Sequence, residues 1–152
     1  MNWISIELSV YFWLKLPQRS YPMREYYSIE IPDEFRIFEQ EFRLAGIQHY
    51  KVDFLKLIKK RNEIHYHLEP QPDNPKDKNA LQVRGVRDKV FGKLNVCIGY
   101  IPADIASHIS DAKIVSELIL RPKRFYINAQ EEIEFTFDLL GPKTLYEKYQ
   151  TV

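Results

Sequence analysis

Short apolar runs broken by polar positions dominate this chain, and their spacing predicts many strands and few helices. Ile4, Ile6, Leu8 and Val10 alternate with Ser5, Glu7 and Ser9, which predicts a strand within residues 3–16. Residues 26–31 alternate in the same way until Pro32-Asp33 breaks the pattern. Phe35, Phe38 and Phe42 then recur at helical spacing, which predicts a turn or short helix over residues 34–43, with a strand across 41–50 that enters Gly46. Residues 51–60 set Phe54, Leu55 and Ile58 on one face of a short helix and Lys56, Lys59 and Lys60 on the other. Residues 63–69 alternate again as a strand.

Residues 70–79 hold three prolines and four Asp or Asn, the composition of a structured loop. Beyond it, residues 80–84 read as a strand, 86–94 as a projecting hairpin with Gly92 near its turn, and 96–101 as an apolar strand ended by Pro102. Pro102 suits the first turn of a helix through Ile105, Ala106 and Ile109. Residues 114–120 and 133–140 are two further strands, joined by the basic and aromatic stretch 121–126, and a short tail with Tyr146 and Tyr149 follows. There is no internal repeat or low-complexity tract. The pattern predicts a mainly β (α+β) protein, a small β-barrel of about six strands with two or three short helices and an N-terminal strand extension.

Composition narrows this picture. At 152 residues the chain suits one domain, and 45% hydrophobic against 28% charged residues is enough to build a core. Ten Tyr, nine Phe and two Trp either fill that core or offer stacking faces. Residues 3–16 have no basic stretch before them, contain Glu7 and are too short to span a bilayer, so neither a signal peptide nor a membrane partner is expected. Cys97 is the single cysteine, which excludes an internal disulfide; Val96-Cys97-Ile98 reads as a buried core thiol in a reducing, intracellular setting (cytoplasmic in a bacterium).

The net charge of +1 conceals an uneven distribution. Residues 1–50 carry five basic and seven acidic side chains, 51–93 eleven and six, and 94–152 six and eight. The middle segment, at net +5, is where a polyanion would bind, unless its lysines are merely a solvated surface. No catalytic motif is visible. The five glycines are isolated from one another, no nucleophile elbow occurs, and Cys97 lacks an electropositive setting. His65 and His67 share one face of a strand and could join His49 or His108 on a metal, but no ligand motif completes the set. The expectation is a non-enzymatic protein with neither metal nor cofactor.

One constellation is specific. Leu68-Glu69-Pro70-x-x-Asp73-Asn74-Pro75-Lys76-Asp77-Lys78-Asn79-Ala80-Leu81-x-Val83, followed by Ile98-Gly99-Tyr100-Ile101-Pro102-x-x-Ile105-Ala106 and preceded by Leu44-Ala45-Gly46-Ile47-Gln48-His49-Tyr50, resembles the HIRAN domain family. That module occurs at the N-terminus of SWI/SNF-type helicase-like remodellers and as small bacterial proteins. The resemblance covers residues 42–141 and leaves 1–41 as an N-terminal extension and 142–152 as a tail. It implies an OB-like barrel with a pocket for the 3′ end of single-stranded DNA. In family members that bind such ends, aromatic rings stack on the last base, a basic residue holds a phosphate and an aspartate bonds the terminal hydroxyl. The aspartate matches Asp77. Lys76 stands where those members have an aromatic, His49 where the first strand has one, and Gln48 where an arginine precedes it. Asp77 and Asn79 also suit a second role, knitting the loop through Asx turns.

The resulting expectation is a DNA-binding module in DNA repair or processing that recognises single-stranded DNA or its 3′ end and acts beside a helicase, nuclease or other DNA-processing protein. Its expected contacts are Gln48, His49, Tyr50, Asn74, Lys76, Asp77 and Lys78 around the pocket. Lys56, Lys59, Lys60 and Arg61 are expected to form a backbone-tracking surface. The alternative is a protein-interaction or regulatory domain that keeps the fold and has lost the DNA-end pocket.

Overall fold

The computed structural model describes residues 21–60 and 63–152. Its strands are β1 (Met23–Tyr26), β2 (Phe35–Arg43), β3 (His65–Pro70), β4 (Leu81–Asp88), β5 (Lys93–Tyr100), β6 (Ile119–Ile127) and β7 (Ile133–Pro142). Helices α1 (Lys51–Ile58), α2 (Ala103–Ala112) and α3 (Tyr146–Gln150) lie between and after them. All strand pairing is antiparallel, in one sheet of order β1-β6-β7-β2 and another of order β3-β4-β5. The fold is therefore mainly β with a few short helices, and among the described residues the two sheets do not close into a barrel.

The sheets meet across aromatic rings. Phe54 of α1, Phe125 of β6 and Phe135 and Phe137 of β7 are fully buried. Phe54 meets Phe125 edge-on at 5.5 Å, and Tyr66 of β3 meets Phe135 and Phe137 at 5.5 and 5.2 Å. Edge-on pairs at these separations add ~0.5–1.5 kcal/mol each beyond the area they bury. Helix α1 approaches β4 closely because residue 85 is glycine: a Cβ there would lie 2.2 Å from Leu57 Cδ2.

Several elements differ from the sequence expectation. Residues 35–43 form a strand, not a helix, and residues 47–50 form a 3-10 turn, not a strand. Strand β2 carries two bulges, at Ile37/Glu39 and Glu39/Phe42, which break strict alternation and throw its phenylalanines into helical spacing. Asp138 locks one bulge. Its Oδ1 accepts the Glu41 N–H at 2.8 Å while Oδ2 accepts Arg121 at 2.6 Å, both from a fully buried carboxylate. Residues 121–126 are the middle of β6, not a link, because Pro122 sits at a register shift where its missing N–H is tolerated. Before them, Val115–Glu117 is a 3-10 turn, so only the end of the expected strand at 114–120 is extended. The alternation at 26–31 does not form a strand: β1 lies earlier, at Met23–Tyr26, and residues 27–31 are irregular. Helix α3 orders the tail, with Tyr149 buried and its hydroxyl donating to Glu39 Oε1 at 2.6 Å. The strand expected within residues 3–16 lies outside the described residues.

One junction joins the sheets. Past the end of β2, Ala45 N–H donates to Tyr100 O at 2.8 Å and Tyr100 N–H to Ala45 O at 2.9 Å. Gly99 makes this possible: its φ is +155°, and a Cβ would lie 2.8 Å from the Ala45 carbonyl oxygen. Gly99→Ala should therefore lower stability by about 1–3 kcal/mol, the usual cost of forcing an extra methyl against fixed atoms. Thermal unfolding checks this against Gly92→Ala, where nothing lies within 4 Å of the added methyl and only the positive φ of +75° opposes it.

Candidate nucleic-acid interface

Directly after the junction, Gly46 adopts a left-handed conformation (φ 70°, ψ 10°) and turns the chain into the Ile47–Tyr50 3-10 turn. That turn faces the 70–79 loop across a cavity of about 500 Å³. His49 and Tyr50 line it from the turn, Asn74, Pro75, Lys76 and Asp77 from the loop, and Tyr100, Ile101 and Ala103 from the β5–α2 connection. The volume lies within the ~300–1,000 Å³ of small-ligand sites.

Short-range hydrogen bonds hold the loop in shape. Asn74 N–H donates to Gln71 O at 3.0 Å, and Asn74 Oδ1 accepts the N–H groups of Lys76 and Asp77 at 3.0 and 3.2 Å. Asp77 Oδ1 accepts Asn79 N–H at 2.9 Å, and Asn79 Oδ1 accepts the Ser110 hydroxyl of α2 at 3.0 Å. Asp77 thus knits the loop through one oxygen and has a second with which to bond a ligand.

The opposite wall is aromatic. The Tyr50 and Tyr100 rings lie 6.2 Å apart. A hydrogen bond with the Tyr100 side chain, then burial, then the Cys97 thiol push the Tyr50 phenol well above its ordinary range. Gln82 Nε2 donates to Tyr100 Oη at 3.1 Å, and Gln82 Oε1 accepts Arg84 Nη1 at 2.7 Å. Arg84 is itself anchored to Glu69 at 3.2 Å and Asn95 Oδ1 at 2.8 Å. The ring pair is therefore fixed from behind. Cys97 donates to Gly99 O at 3.6 Å; burial raises its pKa, while hydrogen bonding with the Gly99 backbone and the Tyr50 side chain opposes that rise. It is half-buried beside Tyr50, a correction to the buried core thiol expected from its neighbours.

The structure brings His49, Tyr50, Asn74, Lys76 and Asp77 to one cavity and places the other expected contacts elsewhere. Gln48 turns away, donating to Ile133 O at 2.7 Å and accepting Ile133 N–H at 3.2 Å, which fastens the 3-10 turn to β7. Lys78 lines a separate hollow with Pro70, Ile109 and Ser110 behind the loop. Lys56, Lys59 and Lys60 are exposed at the far end of α1 from Tyr50, and Arg61 lies outside the described residues. His65 and His67 are exposed on β3, and among the described residues no three His, Cys, Asp or Glu side chains converge as metal ligands. The basic-aromatic stretch 121–126 is largely used in the sheet, with Arg121 on Asp138, Arg124 3.7 Å from Glu134 and Phe125 fully buried. Tyr100 also lines the cavity, although it is not among the contacts expected from the sequence. Its signal was a large ring at a strand end, immediately before an Ile-Pro helix start.

No curated protein and no solved structure matches the chain. Among the described residues no helix is long and apolar enough to cross a membrane. The HIRAN domain family matches residues 37–129, more than half of the chain and a span that includes every residue named around the cavity. The motif loop, the cavity behind it and this match together place the chain in the HIRAN domain family, whose domains are in general DNA-binding.

Proposed function

We propose that the cavity takes the 3′ end of single-stranded DNA and that the protein is a non-catalytic binding module in DNA repair or processing, working beside a helicase, nuclease or similar partner. The observation that carries this reading is the convergence of one loop carboxylate, Asp77, with three rings, His49, Tyr50 and Tyr100, on a single cavity. A terminal nucleoside needs those two things, an acceptor for its hydroxyl and flat faces for its base. Asp77 Oδ2 accepts the 3′-hydroxyl, and His49 stacks on the last base. Lys76 is exposed at the same rim and supplies the phosphate contact as a point charge, since the Gln48 amide is committed to Ile133.

Two outcomes test the proposal. With about three phosphates neutralised, log affinity for single-stranded DNA should fall against log salt with a slope of roughly −2. Flat binding across salt, or none at micromolar protein, would remove the electrostatic basis and favour a protein-interaction domain. In the second test, Asp77→Asn keeps an oxygen for the Asn79 N–H, so the loop survives, but removes the charge that repels a terminal phosphate. The variant should narrow the preference for hydroxyl-ended over 3′-phosphorylated strands, read by competition with circular dichroism as the folding control. If wild type binds both ends equally, Asp77 serves the loop and not the DNA end.

A further inference from the structure

The β4–β5 hairpin extends away from the cavity and takes no part in lining it. Its last ladder pair is Asp88–Lys93, and its turn closes through Lys89 N–H to Gly92 O at 3.0 Å. Val90 and Phe91 occupy the turn, 83% and 89% exposed, the most exposed large hydrophobic side chains among the described residues. Such a ring contributes nothing to the core, and the hairpin that carries it is tied down nearer its base. The Arg87 guanidinium donates to the carbonyls of Leu57 and Lys56, each at 3.0 Å, and so fastens the hairpin to the last turn of α1.

That link brings the positive charge at the end of α1 to the hairpin. Residues 87–93 carry three cations and one anion, and Lys56, Lys59 and Lys60 are exposed at the end of α1 that Arg87 holds. Both α1 and β5 run between this cluster and the cavity, since Tyr50 precedes α1 and Tyr100 ends β5. At ~3.3 Å per residue, the seven steps from Lys93 to Tyr100 span about 23 Å. At ~3.4 Å per nucleotide that is about seven stacked nucleotides. A cationic surface carrying one exposed aromatic ring matches a strand that offers phosphates and unpaired base faces together.

We infer that the Phe91 tip and the lysines around it form a second contact for single-stranded DNA, about seven stacked nucleotides from a 3′ end seated in the cavity, with Phe91 stacking on an unpaired base. The inference rests on the reading proposed above, and the experiment separates the two. Hydroxyl-ended DNA strands of about four and about twelve nucleotides are titrated against wild type and Phe91→Ala. A melting curve should show the variant as stable as wild type, because the ring it loses makes no core contact. Wild type should bind the longer strand about tenfold tighter; the variant should lose that gain and bind the shorter strand unchanged. A 2-aminopurine about seven nucleotides from the 3′ end should be quenched by wild type and not by the variant. If wild type binds both strands and Phe91→Ala binds them identically, the tip contact is overturned and the cavity reading stands. If wild type binds neither, both fail. If sedimentation shows self-association that Phe91→Ala abolishes while DNA binding is unchanged, the tip serves a second copy of the chain and the inference is overturned.

Discussion

Two backbone hydrogen bonds between Ala45 and Tyr100 determine where the rest of the site stands. They join the end of β2 in the four-stranded sheet to the end of β5 in the three-stranded sheet, and Gly99 allows the approach because a side chain there would meet the Ala45 carbonyl. From that point Gly46 reverses the chain into the 3-10 turn, and Gln48 pins the turn to Ile133 through both of its amide groups. The aromatic wall and the Asn74–Asp77 loop therefore belong to different parts of the chain held at a fixed separation. A cavity built this way is set before a ligand arrives, which lowers the ordering cost of binding.

Charge within the fold divides into structural and available groups. Asp138, fully buried, accepts Arg121 and the Glu41 N–H, and losing either member of such a buried pair costs about 3–5 kcal/mol. Arg84 is committed to Glu69, Gln82 and Asn95 behind the tyrosine pair, and Arg87 to the carbonyls of α1. The arginines thus stiffen the molecule. Exposed lysines remain for partners: Lys76 at the cavity, and Lys56, Lys60 and Lys89 toward the hairpin, where Lys93 lies 4.0 Å from Asp88. Lysines at a surface act as mobile point charges, suited to a phosphate backbone with no sequence preference.

The loop wall of the site was readable from the sequence because its structure is local. Asn74, Asp77 and Asn79 bond within a few residues of themselves, and Pro and Asx chemistry announces such loops directly. The aromatic wall was not. Residues 47–50 read as a strand because nothing nearby reveals that Gln48 will bond a residue 85 positions away. The same holds for β2, one of whose bulges is locked by Asp138, and for β6, whose Pro122 is tolerated at a register shift. Helix α1 shows both sides: its lysine face was evident, while Leu57 was missed as a core contact, although Gly85 exists to receive it. Long-range pairing overrode local period wherever the reading failed.

The central claim is that the 3-10 turn, the Asn74–Asp77 loop and Tyr100 act together as one binding surface. Amide chemical-shift mapping tests it directly, by titrating labelled protein with a short hydroxyl-ended single strand. The account predicts that the largest changes fall on His49, Tyr50, Asn74, Lys76, Asp77 and Tyr100, with β1 and β6 unmoved. Changes concentrated on β1 and β6, with the cavity residues silent, would contradict it.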